Sequence, residues 1–94
     1  MSEITGTSRP ALAAGVRLQP DRASGEPVLL YPEGVLFLNE TAHEVVRRLD
    51  GTATVDVIVA ALGEEYDTDA DTLRRDVLDC LANLLRQRLI VMTL

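Results

Sequence analysis

The residues of this chain that could serve as nucleophile, general base or metal ligand are few and scattered. His43 is the single histidine, Cys80 the single cysteine, and the serines are Ser2, Ser8 and Ser24. A nucleophile needs a base within hydrogen-bond reach, and a protein-held zinc ion needs three or four converging ligands. His43 falls off the apolar face of a helix-period segment, where a solvated side chain is expected. Cys80 falls inside an apolar stripe, and the serines lie in a terminal segment and a turn. No serine sits in the Asp-Ser-Leu pattern of a carrier-protein attachment site, and no phosphate loop or dinucleotide fingerprint is present. Carboxylates are plentiful, and Glu64, Glu65, Asp67, Asp69 and Asp71 form a dense run. Such a run reads as a solvated connector rather than an acid–base pair. The expectation is a binding module and not an enzyme, with no catalytic residue, no metal and no organic cofactor, quinone included.

Composition narrows the partners. The chain has 94 residues, enough for one small domain with a modest core. Almost half the residues are hydrophobic but only Tyr31, Phe37 and Tyr66 are aromatic, so the core must be aliphatic. A formal net charge of −6 argues against nucleic acid or an anionic membrane as the main partner. A lone cysteine suits a reducing cytoplasm, and no apolar run is long enough for a membrane span. Residues 1–7 are polar and lack the apolar core of a signal peptide, so a cytoplasmic location is expected.

The elements that would position a binding surface follow from the apolar spacing. Residues 1–8 read as a flexible tail and 9–94 as one domain. Arg9 to Ala14 could cover one end of the core. Gly15 to Pro20 alternates as a half-buried strand should, and Asp21 to Pro27 is turn-forming. Val28–Tyr31 and Val35–Leu38 then read as two strands joined by Pro32-Glu33-Gly34, with Gly34 available for a positive φ. Asn39 is a natural N-cap for a helix whose Ala42, Val45, Val46 and Leu49 share one face. Gly51 is expected just past that helix in the left-handed conformation. Thr54 caps a second helix carrying Val55, Ile58, Val59 and Leu62, and Thr68 or Asp69 begins a long third helix ending near Gln87. Leu89 to Met92 is a final apolar run, a short strand or a tail on the core. The fold class is therefore α+β, a three-stranded antiparallel sheet followed by three helices.

The third helix carries more apolar surface than one packing contact uses. Leu73, Val77, Cys80 and Leu84 make one stripe, and Leu78, Leu81 and Leu85 widen it to roughly 160°, against about 100° for a single face. Arg74 falls inside this arc. Packing against both sheet and helices explains much of the width, and a groove lined by part of the arc would explain the rest.

Several blocks in order carry a specific resemblance. Gly15-Val16-Arg17-Leu18, Asp21-Arg22, Val28-Leu29-Leu30-Tyr31-Pro32-Glu33-Gly34, Leu36-x-Leu38-Asn39, Asp50-Gly51 and Asp76-Val77 together resemble the PqqD family. That family is the small peptide chaperone of pyrroloquinoline quinone (PQQ) biosynthesis. The likeness spans about Arg9 to Val91, with Pro27 standing where a strand former is expected. It implies a winged-helix-like arrangement of a three-stranded sheet and a three-helix bundle. It also implies binding of the precursor peptide PqqA and its presentation to the radical SAM enzyme PqqE, which joins a Glu and a Tyr side chain within the peptide.

Strand addition gives this function a physical basis. A disordered peptide pairs with an open sheet edge through main-chain hydrogen bonds, while side-chain pockets beside the edge supply specificity. The expected peptide-binding residues are Gly34, Val35, Leu36, Phe37 and Leu38 on the third strand of that sheet. Arg74, Arg75, Leu78, Leu81 and Leu85 are expected from the third helix. Arg74 or Arg75 would pair with an acidic peptide residue. A monomer is expected, although an open edge also allows two copies to pair. The rival readings are a recognition domain for a different modified peptide and a winged-helix DNA-binding protein. The second would need a basic recognition helix, whereas here Asp76 and Asp79 sit among the arginines.

Overall fold

The two-residue hairpin turn Pro32-Glu33 sets the register of the main sheet. In the computed structural model, which describes residues 4–93, the elements are β1 (Arg9–Leu12), β2 (Arg17–Pro20), β3 (Pro27–Tyr31), β4 (Gly34–Phe37), α1 (Glu40–Val46), α2 (Val55–Glu65), α3 (Ala70–Arg86) and β5 (Ile90–Thr93). β2, β3 and β4 form an antiparallel meander in that order. Tyr31 pairs with Gly34 and Val28 with Phe37. Gly34 is thus the first strand residue and lacks the positive φ expected of it, because the two residues before it complete the turn. Pro27, which looked out of place before a strand, is the first residue of β3. It faces Pro20 at the end of the ladder, where a missing N–H does least harm.

A second sheet was not anticipated as such. β1 and β5 pair antiparallel, Arg9 with Thr93 through Leu12 with Ile90. Residues 4–8, read from sequence as part of a flexible tail, are held to the start of α2. The Val55 and Asp56 N–H groups donate to the carbonyls of Ser8 and Gly6, and Ile4 packs on the core. Residues 1–3 of that tail, and Leu94, lie outside the described residues.

The helix starts follow the sequence closely. Asn39, Thr54 and Asp69 each accept a main-chain N–H three residues on, from Ala42 at 2.7 Å, Val57 at 3.2 Å and Thr72 at 3.1 Å. The ends depart from it. α1 stops at Val46, and Leu49 is carried into the core by tighter turns in which Arg48 and Leu49 donate to Val45 and Val46. Gly51 has the expected positive φ of 79°, but several residues beyond the helix. α3 closes with Leu89 donating to Leu84 and Arg88 to Leu85, which puts Arg88 at the left-handed position with φ 62°.

The core is aliphatic throughout. Leu29 from the sheet meets Val45, Val46, Ile58, Leu62, Leu73, Val77, Leu81 and Leu84 from the helices, with Ile90 from β5 closing one end. Each such side chain contributes roughly 1.5–3 kcal/mol when fully buried. α3 packs against α1, α2 and β5 at once, and its four buried residues Leu73, Val77, Leu81 and Leu84 define its inward face.

Candidate functional site

Antiparallel pairing decides which main-chain groups of β4 are used and which are free. The Leu38 N–H donates to the Pro27 carbonyl at 3.1 Å. Alternation then turns Leu36 and Gly34 towards β3 as well, and leaves the N–H and C=O groups of Val35 and Phe37 pointing away from the sheet. Among the described residues no strand pairs with that side of β4. β4 is therefore an open edge over its whole length. Its side chains alternate too. Leu36 and Leu38 pack on the core, while Val35 and Phe37 are 43% and 53% exposed on the other face.

Beyond Phe37 the edge runs into a groove. Asn39, Thr41 and Ala42 form one wall, and Asp76, Asp79, Cys80 and Asn83 of α3 form the other. Burial raises the pKa of the Cys80 thiol, so it lines the groove as a small neutral side chain. Asn39 links the two features. It is the next outward position after Val35 and Phe37, and its side chain fixes the start of α1.

The expected helix residues are placed differently. Arg74 extends to α2 and forms an ion pair with Asp56 at 2.6 Å, so its charge is already matched. On a helix of about 100° per residue, Asp76 lies some 200° around from Arg74, which puts Arg74 on the flank away from the groove. Leu78 and Leu85 share Arg74's stripe and are half-buried against the core. Leu81 is fully buried and offers nothing to a ligand. Arg75 is exposed. The structure thus brings Gly34, Val35, Leu36, Phe37 and Leu38 together on one strand and its continuation, but it does not bring Arg74, Leu78, Leu81 or Leu85 to the groove beside them. The sequence signal that could have found the other flank is Asp76, Cys80 and Asn83, spaced by four and three. Asp76 and Asn83 stand outside the apolar stripe, so hydrophobic spacing carries no trace of them.

His43, expected on a solvated surface, is half-buried and lines an open recess with Leu18, Gln19, Pro20, Gly25 and Pro27. Among the described residues no group of three or more His, Cys, Asp or Glu is placed to hold a metal ion. Among the described residues no helix is long and apolar enough to cross a membrane.

Comparison with known proteins places this edge in context. The family profile described as "Coenzyme PQQ synthesis protein D (PqqD)" matches residues 26–90. The chain belongs to the PqqD family. A "PqqA binding protein" from Xanthomonas oryzae pv. oryzae is 47% identical to it over 90 residues, covering 96% of this chain and 98% of the relative. The solution structure of the PqqD part of Methylobacterium extorquens PqqCD, described as a stand-alone recognition element for ribosomally made and modified peptides, superposes with a TM-score of 0.80. It is 36% identical, covering 95% of each chain. TbiB1, solved in complex with the TbiA(β) leader peptide, superposes at 0.72 with 26% identity, over 85% of this chain and 93% of that one. The PqqD assignment agrees with the resemblance read from the sequence blocks, and the α+β architecture agrees with the PqqD fold.

Proposed function

We propose that this PqqD-family chain captures the PqqA precursor peptide by strand addition to β4 and presents it to the radical SAM enzyme PqqE in PQQ biosynthesis. It acts as a binding module and performs no catalysis itself. One observation carries this reading: the outward N–H and C=O groups of Val35 and Phe37 form an unpaired edge that continues at Asn39 into a groove against α3. A peptide without structure of its own satisfies those groups by completing the ladder, and the groove receives its side chains. Similarity to a protein solved with a leader peptide and to relatives named for PqqA binding supports this choice of client.

The test is an amide chemical-shift titration with PqqA. Shifts are expected to concentrate in residues 34–39 and on the Asp76–Asn83 flank of α3. Shifts confined to α2 and the β1–β5 sheet would move the site elsewhere and end this reading.

A further inference from the structure

Strand alternation determines what a peptide on β4 meets. Residues of the peptide directly opposite Val35 and Phe37 share their face of the sheet. That face carries the exposed Val35 and Phe37 beside Leu30, which pairs with Val35. The peptide residues between and after them turn to the other face, where α1 and α3 stand. There the groove, open to solvent along one side, offers about 400 Å³, room for a long side chain, and carries Asp76 and Asp79 with the polar Asn39, Thr41 and Asn83. Neither aspartate belongs to any of the molecule's ion pairs among the described residues. Arg74 is held by Asp56, and Arg47 and Arg48 are held by Glu44 and Glu65. The groove lining thus carries two carboxylates outside any ion pair; the cations standing nearest in the helix are Arg86, whose guanidinium donates to the Asn83 Oδ1 at 3.3 Å, and the exposed Arg75, one turn before Asp79.

We infer that the strand captured by β4 is amphipathic across its alternation: apolar residues opposite Val35 and Phe37, and a lysine or arginine on the other face, seated between α1 and α3 against Asp76 and Asp79. This rests on strand addition at β4 and adds to it the chemistry of the occupant. It also reverses the sign expected from Arg74 and Arg75, because the groove flank of α3 is the acidic one. A long cationic side chain lays its methylene stem along Cys80 and Ala42 and carries its charge to the carboxylates at the mouth.

The experiment titrates labelled PqqA peptides, with each lysine or arginine changed singly to glutamate, against the unaltered protein and the double variant Asp76→Lys/Asp79→Lys. Both positions are exposed, and the helical circular dichroism of the variant checks its fold. Asp76→Asn/Asp79→Asn serves as a milder second variant and is expected to give the same ranking at smaller size. One charge-reversed peptide is expected to bind the unaltered protein roughly tenfold more weakly and to regain affinity on the lysine variant. Equal affinity ratios on all three proteins, for every peptide, would overturn the inference. Amide signals of Val35–Asn39 are followed in the same titrations. If they move while the charge ratios stay flat, strand addition stands and the cationic seat is wrong. If they do not move, both are wrong.

Discussion

The edge strands β1 and β4, one from each sheet, treat their outer sides in opposite ways. The side of β1 away from β5 is closed by the segment after α1: Ala11 bridges Asp50, and the Gly51 N–H donates to the Pro10 carbonyl at 3.0 Å. The Thr93 hydroxyl lies 2.9 Å from the Arg9 carbonyl and 2.7 Å from that of Gly51, and ties β5 into the same knot. β4 has no such cover. An exposed edge invites pairing with other chains, and proteins normally bulge, charge or cover it. The outer sides of β2 and β5 also lack a strand partner among the described residues, and β4 is set apart from them by two exposed large apolar side chains, Val35 and Phe37, and by its continuation at Asn39 into the α1–α3 groove. That contrast is what makes the open edge read as a site rather than an accident of small size.

The sharpest way to break the comparison is with proline on β4. Leu36→Pro removes a donor used by β3 and leaves a carbonyl unpaired, and is expected to lower stability by about 3 kcal/mol. Phe37→Pro removes only an outward donor, and should cost about 1 kcal/mol or less while weakening PqqA binding at least tenfold, a loss of about 1.4 kcal/mol. Urea midpoints and peptide titration measure both. Equal stability costs for the two would mean that the outward and inward positions are wrongly assigned.

The closed edge should behave in the converse manner. Gly51 sits at φ 79°, and a Cβ there would stand 3.4 Å from that of Ala11. Gly51→Val is therefore expected to destabilise by about 2 kcal/mol. Peptide affinity, measured well below the unfolding midpoint, should be unchanged. An affinity loss as large as that of Phe37→Pro would show that the two edges are coupled.

The smallest effect concerns acid. Asp50 accepts the N–H groups of Ala53 and Thr52, both at 2.8 Å, and these bonds hold its carboxyl below the ordinary range. A depressed folded-state pKa contributes stability that is full above the unfolded value of about 4 and is lost as pH falls through the folded value. Glu44, held low chiefly by Arg48, acts in the same direction. Denaturation between about pH 5 and pH 3 should show stability falling with pH, and falling less in Asp50→Asn. An identical slope in the variant would mean the Asp50 turn does not help to close the β1 edge.

Local chemistry was legible in the sequence and distant pairing was not. Asn39 and Thr54 announce their helices because a capping side chain acts three residues away, and the β3–β4 hairpin is announced by apolar runs around Pro32. β1 is only four residues long, and its partner β5 lies some eighty residues on, so no periodicity within Arg9–Leu12 could reveal the pairing. Of the candidate site, the strand was readable because a short apolar run ending at a cap has nowhere to pair but one side. The α3 wall of the groove was not legible, because apolar spacing measures how much of α3 is covered, not by what. Leu81 spends that coverage on the core, and Arg74 spends its charge on Asp56, a partner eighteen residues earlier.

The brevity of β4 also has a kinetic meaning. Its two outward residues offer two N–H donors and two C=O acceptors, and four such bonds at about 0.5–1.5 kcal/mol each amount to about 2–6 kcal/mol. A free energy of about 4 kcal/mol corresponds to a dissociation constant near 1 mM. With association at about 10⁵–10⁷ M⁻¹s⁻¹, a complex held by main chain alone would last about 0.1–10 ms. Any longer residence must come from the side chains around Val35, Phe37 and the α1–α3 groove. An edge this short therefore suits a carrier that must let go of its client, with the dwell time written in the peptide's own residues.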